Sequence, residues 1–378
     1  MIYLDHKATT PIDPAVREAM LPYLGTWFGN PSSTHEQGAA CAEAIATARG
    51  QVASLLGCDA SEVTFTSGGT ESNNLAILGT MWRREPADGA HLVISAFEHP
   101  ATSEPARFVE QQGYAVSVVG CGADGVIDSA EVAAALRPET ALVSIMHANN
   151  EIGSIQPIRA IADACRERGV LVHTDAAQSA GKISVDVEEL GVDFLSLAGH
   201  KFYAPKGVGA LYIRNGVQIE PVIRGAGHER GIRPGTENTA YIVALGAAAQ
   251  IAAERLAGNR SHMQAMRDRL HAALVSAIGE DFSINADGAE RLPNTLSGNF
   301  PGVSGVELLQ RTPAICASTG SACHSGETKL SATLAAIGLA PEIARGTVRL
   351  SVGCHTTADN IDEAARALIL AWRELACG

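Results

Sequence analysis

The sequence predicts an α/β fold: a mostly parallel, seven-stranded sheet covered by helices, with a smaller α+β domain beside it. From about residue 14 to 255, short β-rich runs alternate with helix-like segments, and this alternation is typical of parallel sheets. After an Ala-rich segment the pattern changes to long amphipathic helices with two short strand-like runs. The length of 378 residues also exceeds one average domain. We therefore predict a large domain over residues 14–257 and a small one formed by residues 1–13 and 258–378.

The elements follow in order along the chain. The predicted strands are Glu62–Ser67, His91–Ala96, Ala115–Val119, Ala141–His147, Val170–His173, Phe194–Leu197 and Gly209–Arg214. Helical segments between them include Ser72–Arg84, Ser129–Leu136 and Ile158–Arg168. The Ala-rich Tyr241–Ala253 is too short to span a bilayer and predicts a buried helix. The small domain should contain the amphipathic helix Glu254–Ile278, the strands Leu296–Phe300 and Val348–Val352, and a final helix that a capping-box pattern opens near Thr356.

The composition bounds the class of protein. With 46% hydrophobic and 18% charged residues the chain is globular, and its net charge of −13 argues against direct binding of nucleic acid or anionic membranes. The start of the chain lacks the pattern of a signal peptide. Eight scattered cysteines show no metal-ligand spacing, so we expect free thiols in a reducing cytoplasm and no metal site.

Two segments at the ends of predicted strands combine an acid, an amide and a lysine. Asp175 and Gln178 lie in Val172–Gln178, and Lys201 follows a strand in Gly199–Lys206. Pyridoxal 5′-phosphate (PLP) needs a lysine for a Schiff base and an acid that keeps its pyridine nitrogen protonated, so that the ring acts as an electron sink. Taken alone, Asp175 could make only a local turn, and Gln178 could be plain helix surface.

Two other lysines compete with Lys201 for this role. Lys182 follows a turn glycine and leads into a polar run, which predicts a solvated side chain. Lys206 follows a proline and is predicted to be a second basic group near the mouth of the site. Lys201 directly follows the strand, where burial would lower the pKa of its amine and keep it competent to form a Schiff base.

A glycine-rich turn and a histidine add to this pattern. Phe65–Asn74 places Thr70 and two glycines between a strand and a helix, where amides and the helix dipole favour a phosphate. Such a turn alone is more often a tight connection, and a lone histidine such as His99 is more often structural than a proton carrier. Because the carboxyl ends of parallel strands meet at one edge, we expect that edge to gather the candidates that follow strands, which are Thr70, His99, Asn150, Asp175 and Lys201.

Two further residues point to a thiol acceptor and a carboxylate site. Cys323 lies in Ser318–Gly326, among small and polar residues that build no core. A free cysteine is usually buried and inert, but this composition predicts mobility, and the adjacent His324 could favour the thiolate. Arg349 lies at the centre of an apolar strand, which indicates a buried fork for a substrate carboxylate. With PLP, these residues predict chemistry that hands an atom to a thiol.

These motifs resemble the cysteine desulfurases, the NifS/IscS-type branch of fold-type I PLP enzymes, over nearly the whole chain. The matching segments are Tyr3–Asp5 with Ala8–Pro11, Gly29–Ser33, Thr66–Asn74, Ala148–Gly153, the Lys201 segment, His228–Asn238, the Cys323 loop and Arg349–Ser351. The resemblance implies a fold-type I PLP transferase that removes sulfur from L-cysteine and leaves L-alanine and a persulfide on Cys323. About a dozen residues around Cys323 are similar to the long-loop class, whose cysteine passes sulfur to acceptors.

The resemblance also implies a role for each candidate residue. Cys323, Lys201 and His99 would be catalytic, with Lys201 joined to PLP and His99 over its ring. The other PLP contacts would be Asp175 at the ring nitrogen, Gln178 at the hydroxyl, Asn150 beside the ring, and Gly69, Thr70 and His200 at the phosphate. Asn150 and Arg349 would orient the substrate. Thr236 would reach the phosphate of the partner subunit, so a homodimer is the expected working unit.

Four residues depart from the family pattern. Ala198 replaces a phosphate-binding Ser, Lys7 a small or neutral residue, Ala204 a usual Gly, and Cys354 a common Arg. Residues 172–205 and 233–238 are also similar to selenocysteine lyases, the nearest alternative. A non-catalytic PLP-fold scaffold is less favoured, because it would need neither the lysine nor the thiol. We expect an acceptor protein for the sulfur, and iron–sulfur assembly, transfer RNA, cofactor and DNA modification all stay open as its pathway.

Overall fold

A computed structural model describes residues 1–319, 321–324 and 327–377, with the backbone alone for residues 88, 321–324 and 327–329. The helices are α1 Pro14–Met20, α2 Glu36–Leu56, α3 Gly69–Met81, α4 Pro100–Gln111, α5 Ser129–Ala135, α6 Ile158–Arg166, α7 Val187–Leu190, α8 Thr239–Ile278, α9 Gly305–Arg311, α10 Ala332–Ala336, α11 Pro341–Ala344 and α12 Ala358–Ala376. The strands are β1 Ile2–Tyr3, β2 Val63–Thr66, β3 His91–Ser95, β4 Ala115–Val119, β5 Thr140–Ser144, β6 Leu171–Asp175, β7 Phe194–Ala198, β8 Gly209–Ile213, β9 Ser283–Ile284, β10 Thr295–Asn299, β11 Ile315–Cys316, β12 Ser318–Thr319, β13 Ser321–His324, β14 Glu327–Leu330 and β15 Thr347–Ser351.

The central sheet has seven strands in the order β2-β8-β7-β6-β5-β3-β4. Neighbours from β7 through β6, β5 and β3 to β4 run parallel, whereas β8 pairs antiparallel with both β2 and β7. Each strand begins within one residue of its predicted start. The prediction of a mostly parallel, seven-stranded sheet is therefore confirmed.

Both faces of this sheet are buried. In β3, Leu92 and Ile94 belong to one apolar cluster and Val93 to another, because successive side chains of a strand point to opposite faces. Helices α3 and α4 contribute to the first cluster, and α2, α6 and the first half of α8 contribute to the second. Burial on both sides explains why the strands appear in the sequence as nearly continuous apolar runs.

A third apolar cluster, separate from the two on the central sheet, contains residues from both ends of the chain. A four-stranded antiparallel sheet of order β12-β15-β10-β9 shares this cluster with α12 and the second half of α8. Ile2 and Leu4 are buried in it, and β1 pairs in parallel with β11. This packing agrees with a small domain that includes the first residues, although its exact limits stay predictions.

The long helix α8 differs from the prediction of two separate helices. Tyr241–Ala253 and Glu254–Ile278 form one continuous helix of 40 residues, so the predicted boundary at residue 257 falls inside it. The change in composition marks a change of surroundings and not a break in the chain. By length and composition α8 could cross a membrane, but Leu245 and Ala249 in its first half are buried in the large core.

Candidate active site

A cavity of about 260 Å³ opens at the edge where the carboxyl ends of the central strands meet. Its walls are formed by Gly69, Thr70, His99, Ala101, Met146, Ala148, Asn150, Asp175, Ala177, Gln178, Ala198, His200 and Lys201. All five residues that the sequence placed after strands are among them. The parallel topology explains this convergence, because it brings the ends of β3, β5, β6 and β7 to one side of the sheet.

Lys201 lies in the turn that follows β7. Its Nζ donates hydrogen bonds to the carbonyl oxygens of Lys7 at 2.6 Å and Ala8 at 2.8 Å. Burial, followed by the positive charge of Arg349, lowers the pKa of the Lys201 amine to about 8. A substantial fraction of this amine is therefore neutral at mildly basic pH, which is the nucleophilic form.

Asp175 ends β6 and its carboxylate faces the cavity. One oxygen accepts a hydrogen bond from Asn73 Nδ2 at 2.7 Å, and the other accepts one from the Ala177 amide at 2.9 Å. Asn73 is itself oriented by Thr102 Oγ1 at 3.1 Å. A carboxylate has about four acceptor positions, so these two bonds orient Asp175 and leave it able to accept from a ligand.

Gln178 lies three residues beyond the acid, in the turn that follows β6, and carries an unpaired acceptor. Its Nε2 donates to the Lys7 carbonyl at 3.2 Å. Its Oε1 is buried without a hydrogen-bond partner among the described residues. Because a buried polar atom normally has a partner, this oxygen marks a place where a ligand hydroxyl or N–H would be accepted.

The opposite end of the cavity is formed by the start of α3. The helix begins at Gly69, and the first amides of a helix have no acceptor within it, which suits an anion. A Cβ on Gly69 would lie 3.4 Å from that of Ala198, so glycine keeps this end open. Ala198 supplies a methyl group where many family members have a hydroxyl, which leaves Thr70 and His200 as the neighbouring polar side chains.

Two histidines in the cavity wall are held in defined orientations. His99 caps α4 by accepting the Ala101 amide on Nδ1 at 3.1 Å, so the proton of the neutral ring lies on Nε2. Burial lowers the pKa of His99. His200 Nδ1 shares a 3.1 Å hydrogen bond with Thr9 Oγ1, and burial, followed by the charge of Lys201, lowers its pKa to about 4. Both rings are therefore neutral near pH 7.

Arg349 lies next to the cavity and is held from two sides. Its Nη1 donates to the Asn150 carbonyl at 3.1 Å, and its Nη2 forms an ion pair with Asp5 at 2.8 Å. The Nε is buried without a partner among the described residues. Asp5 in turn accepts from Ser318 Oγ at 2.9 Å. The Arg349 side chain is 12% exposed, and its role toward a substrate carboxylate stays a prediction.

Lys182 corrects one prediction from the sequence. Its side chain is buried, not solvated, and its Nζ donates to the Lys201 carbonyl at 3.1 Å. Gly181 turns the chain with a φ of 73°, and this turn directs Lys182 beneath Lys201 instead of outward. Burial, followed by the charge of Lys201, lowers the pKa of Lys182 to about 7.

Two predicted site residues are not brought to this cavity by the described structure. Thr236 is exposed in the segment before α8 and does not line the cavity. Cys323 lies on β13, opposite Thr328 of β14, but its side chain is outside the described residues. In the same described part of the chain, the other seven cysteines are free, and no group of side chains is placed to hold a metal ion.

Three residues with direct contacts in the site were given no site role from the sequence. Asn73 holds the acid, Asp5 holds Arg349, and Lys7 offers its carbonyl to Lys201 and Gln178. Asn73 could have been predicted as a site residue, because it is a polar residue one turn into the helix that begins at the predicted phosphate-binding turn. The other two lie more than 170 residues from their partners.

The donor set fits PLP in each of its parts. The cavity offers an amine of lowered pKa for the aldehyde and a fixed carboxylate for the ring nitrogen. The orphan oxygen of Gln178 suits the ring hydroxyl, and the start of α3 suits the phosphate.

Comparison with known proteins identifies relatives of this chain. The sequence profile of the family described as Aminotransferase class-V matches residues 2–364. Cysteine desulfurase IscS of Vibrio cholerae serotype O1 (strain M66-2) is 44% identical over 378 residues, which cover 98% of this chain and 92% of that protein.

Solved structures agree with this relationship. A protein described as NifS-like superposes with a TM-score of 0.92 at 34% identity, covering 99% of this chain and all of the other. SspA in complex with cysteine superposes with a TM-score of 0.84 at 36% identity, covering 94% of this chain and 100% of the other.

Proposed function

This chain belongs to the aminotransferase class-V family and is a cysteine desulfurase, and we propose that it binds PLP on Lys201 and takes the sulfur of L-cysteine onto Cys323. One observation carries the assignment of the site. Lys201, Asp175 and Gln178 line a single cavity, and each offers a group that would suit a different part of the cofactor. Arg349 lies beside that cavity, where the substrate carboxylate is needed.

The residues of the site have separate roles toward the cofactor and the substrate. PLP, when bound, supplies an electron sink that stabilises negative charge beside the substrate nitrogen. Asp175, whose two oxygens are oriented by Asn73 and the Ala177 amide, would keep a positive charge on the ring nitrogen. His99 holds a proton on Nε2 at the cavity wall, from which it can pass to a reacting atom. Arg349 and Asn150 fix the substrate carboxylate and so orient its side chain.

Cys323 completes the reaction as a nucleophile. Its thiolate forms a bond to the substrate sulfur, the bond between that sulfur and the substrate β-carbon breaks, and the carbon takes up a proton. The products are L-alanine and a persulfide on Cys323, with no external oxidant or reductant consumed. A segment rich in small and polar residues around Cys323 suits a thiol that must then deliver sulfur elsewhere.

The working unit that we propose is a homodimer, with Thr236 directed to the partner subunit's phosphate. Thr236 is exposed, so it is available to a second copy. We also propose a sulfur-acceptor protein, such as one that assembles iron–sulfur clusters, and activity in the cytoplasm. The IscS relatives support this choice of partner.

The experiment that tests the proposal compares two cysteine variants. Cys323→Ser should retain bound PLP but lose both the alanine formed from L-cysteine and the persulfide found by mass spectrometry. Cys316→Ser removes a thiol seven residues away on β11 and should retain both, which makes it the matched control. A persulfide that maps to Cys316 or Cys354 would overturn the assignment, as would selenocysteine turnover independent of Cys323 with L-cysteine acting only as an inhibitor.

A further inference from the structure

Residues 7–10 cross the floor of the candidate site and are named here the crossing segment. The carbonyls of Lys7 and Ala8 accept the two hydrogen bonds of the Lys201 amine, and the Lys7 carbonyl also accepts the amide of Gln178. Thr9 Oγ1 bonds to His200 at 3.1 Å. Three side chains assigned to the cofactor therefore depend on where this short stretch of backbone lies.

The crossing segment is fastened by Lys7 itself. The side chain is only 1% exposed, and its Nζ donates to the Asn149 carbonyl at 2.9 Å. Its backbone N–H donates to Ser351 Oγ, also at 2.9 Å. Lys7 thus connects the crossing segment to the loop that carries Asn150 on one side and to β15 on the other.

A buried lysine without an acidic partner is an unusual choice of residue. Lysine is almost never fully buried unless it is paired, and no ion pair of Lys7 is formed among the described residues. The sequence comparison had already marked this position, because Lys7 stands where the family has a small or neutral residue. Burial, followed by the charge of Lys182, lowers the pKa of the Lys7 amine well below its usual value, so a neutral amine can occupy this place.

We propose that Lys7 is a positioning residue, whose side chain anchors the crossing segment to the Asn149 carbonyl and thereby fixes the carbonyls that hold Lys201 and Gln178. This inference rests on the proposed role of Lys201, and it adds a residue particular to this chain. Without this anchor, the carbonyls of Lys7 and Ala8 are no longer held at a fixed distance from the Lys201 amine. Lys201 is then held less firmly.

The test measures the reactivity of Lys201 in the full-length apoprotein. Reductive methylation with formaldehyde and cyanoborohydride is followed at each lysine by peptide mass spectrometry, with the exposed Lys206 as the internal reference. In Lys7→Met, Lys201 should react roughly fivefold faster, the change expected from losing one net hydrogen bond. Lys7→Gln keeps an N–H for the Asn149 carbonyl and should restore a rate close to that of the natural chain.

A destabilised control separates positioning from a loss of structure. Thr312→Val removes a buried hydrogen bond to the Leu308 carbonyl at the end of α9, away from the crossing segment, and should leave the Lys201 rate unchanged. If Lys7→Met does not fold, Lys7→Ser answers the same question.

An unchanged Lys201 rate in the folded variant would overturn the proposal, and so would an equal acceleration in Thr312→Val or a lack of rescue by glutamine. Because the assay needs neither substrate nor Cys323, its failure differs from a failure of desulfurase activity.

Discussion

At Lys201, burial prepares the amine for reaction without a neighbouring base. The side chain donates only to backbone carbonyls, and its lowered pKa of about 8 has desolvation as its largest cause. The pKa of Lys182 is lowered further, to about 7, but its amine donates to the backbone carbonyl of Lys201. Lys182 is the more buried of the two, and only Lys201 of this pair lines the cavity, a difference that charge and composition alone could not predict.

We expect PLP to be trapped on Lys201 alone. Borohydride reduction of the natural protein should label the Lys201 peptide, because among the lysines whose side chains are described this one alone lines the cavity. In Lys201→Ala the reducible link should disappear, although PLP can still bind without a covalent bond. Peptide mass spectrometry makes the measurement, and label found on Lys182 or Lys206 in the natural protein would show that the assignment is wrong.

Arg349 should control substrate binding much more than cofactor binding. Arg349→Ala removes a charge-assisted contact in a largely buried place, at a cost of about 2–4 kcal/mol, or roughly thirty- to a thousandfold in the Michaelis constant for L-cysteine. The visible spectrum of bound PLP should be unchanged. Arg269→Ala, which breaks the exposed pair with Asp362, is the matched control and should change neither quantity. An unchanged Michaelis constant in Arg349→Ala would exclude this role.

At the scale of elements, the strands of the central sheet could be predicted more completely than the helices that cover it. All seven central strands were predicted from the sequence. Six of them are buried almost throughout, whereas the edge strand β4 is partly exposed and was indicated by its β-branched valines. Helices α2 and α4 were not singled out. The first packs with small residues such as Ala48, and the second contains Pro105 in its interior. Neither feature resembles the broad apolar stripe by which a helix is usually found.

The packing of α8 on α2 leads to a paired prediction at this scale. A Cβ on Gly246 would lie 2.6 Å from Ala48 Cα, whereas nothing lies within 4 Å of a Cβ on Gly258 in the same helix. Gly246→Ala should therefore destabilise the protein by about 1–3 kcal/mol through overpacking. Gly258→Ala should stabilise it by up to about 1 kcal/mol through helix propensity.

Urea unfolding monitored by circular dichroism measures both variants. Equal effects of the two substitutions would mean that the close approach of α2 and α8 does not limit the residue at position 246.

At the scale of the whole molecule, the site joins both ends of the chain to its centre. The ion pair between Asp5 and Arg349 spans 344 residues, and no local period in the sequence predicts a contact of that kind. The strand ends that gather Asp175 and Lys201 could be predicted, because parallel topology follows from alternating elements. The position of Arg349 in an apolar strand could also be predicted, but the partners that fix these groups required the folded chain.

The same convergence concentrates positive charge within an acidic protein. Lys7, Lys182, Lys201 and Arg349 lie close enough for their charges to lower the pKa values of the three lysines, after burial as the largest cause, although the chain carries a net charge of −13. Such a cluster disfavours protonation of its buried amines. The stability of the apoprotein should therefore depend on pH through these lysines.

Lys182 allows this dependence to be measured by itself. Its pKa is about 7 in the folded chain, whereas the ordinary lysine value of 10.5 applies to the unfolded chain. Below about pH 7 the amine is protonated in both the folded and the unfolded chain, so folding then includes the whole free-energy cost of burying a charged amine. Between these pKa values the unfolded chain binds more protons than the folded one, so the free energy of unfolding rises with pH by up to about 1.4 kcal/mol per pH unit.

In Lys182→Met this contribution is absent. The variant should be more stable than the natural chain near neutral pH, and its advantage should shrink by about 2 kcal/mol between about pH 7 and pH 9. Thiols such as Cys58 and Cys165, whose pKa values burial raises to about 12, act in the opposite direction as pH rises. They are present in both proteins, so subtraction removes them. Urea unfolding of the two apoproteins across this range gives the difference, and a difference independent of pH would show that Lys182 titrates at its ordinary pKa in the folded chain.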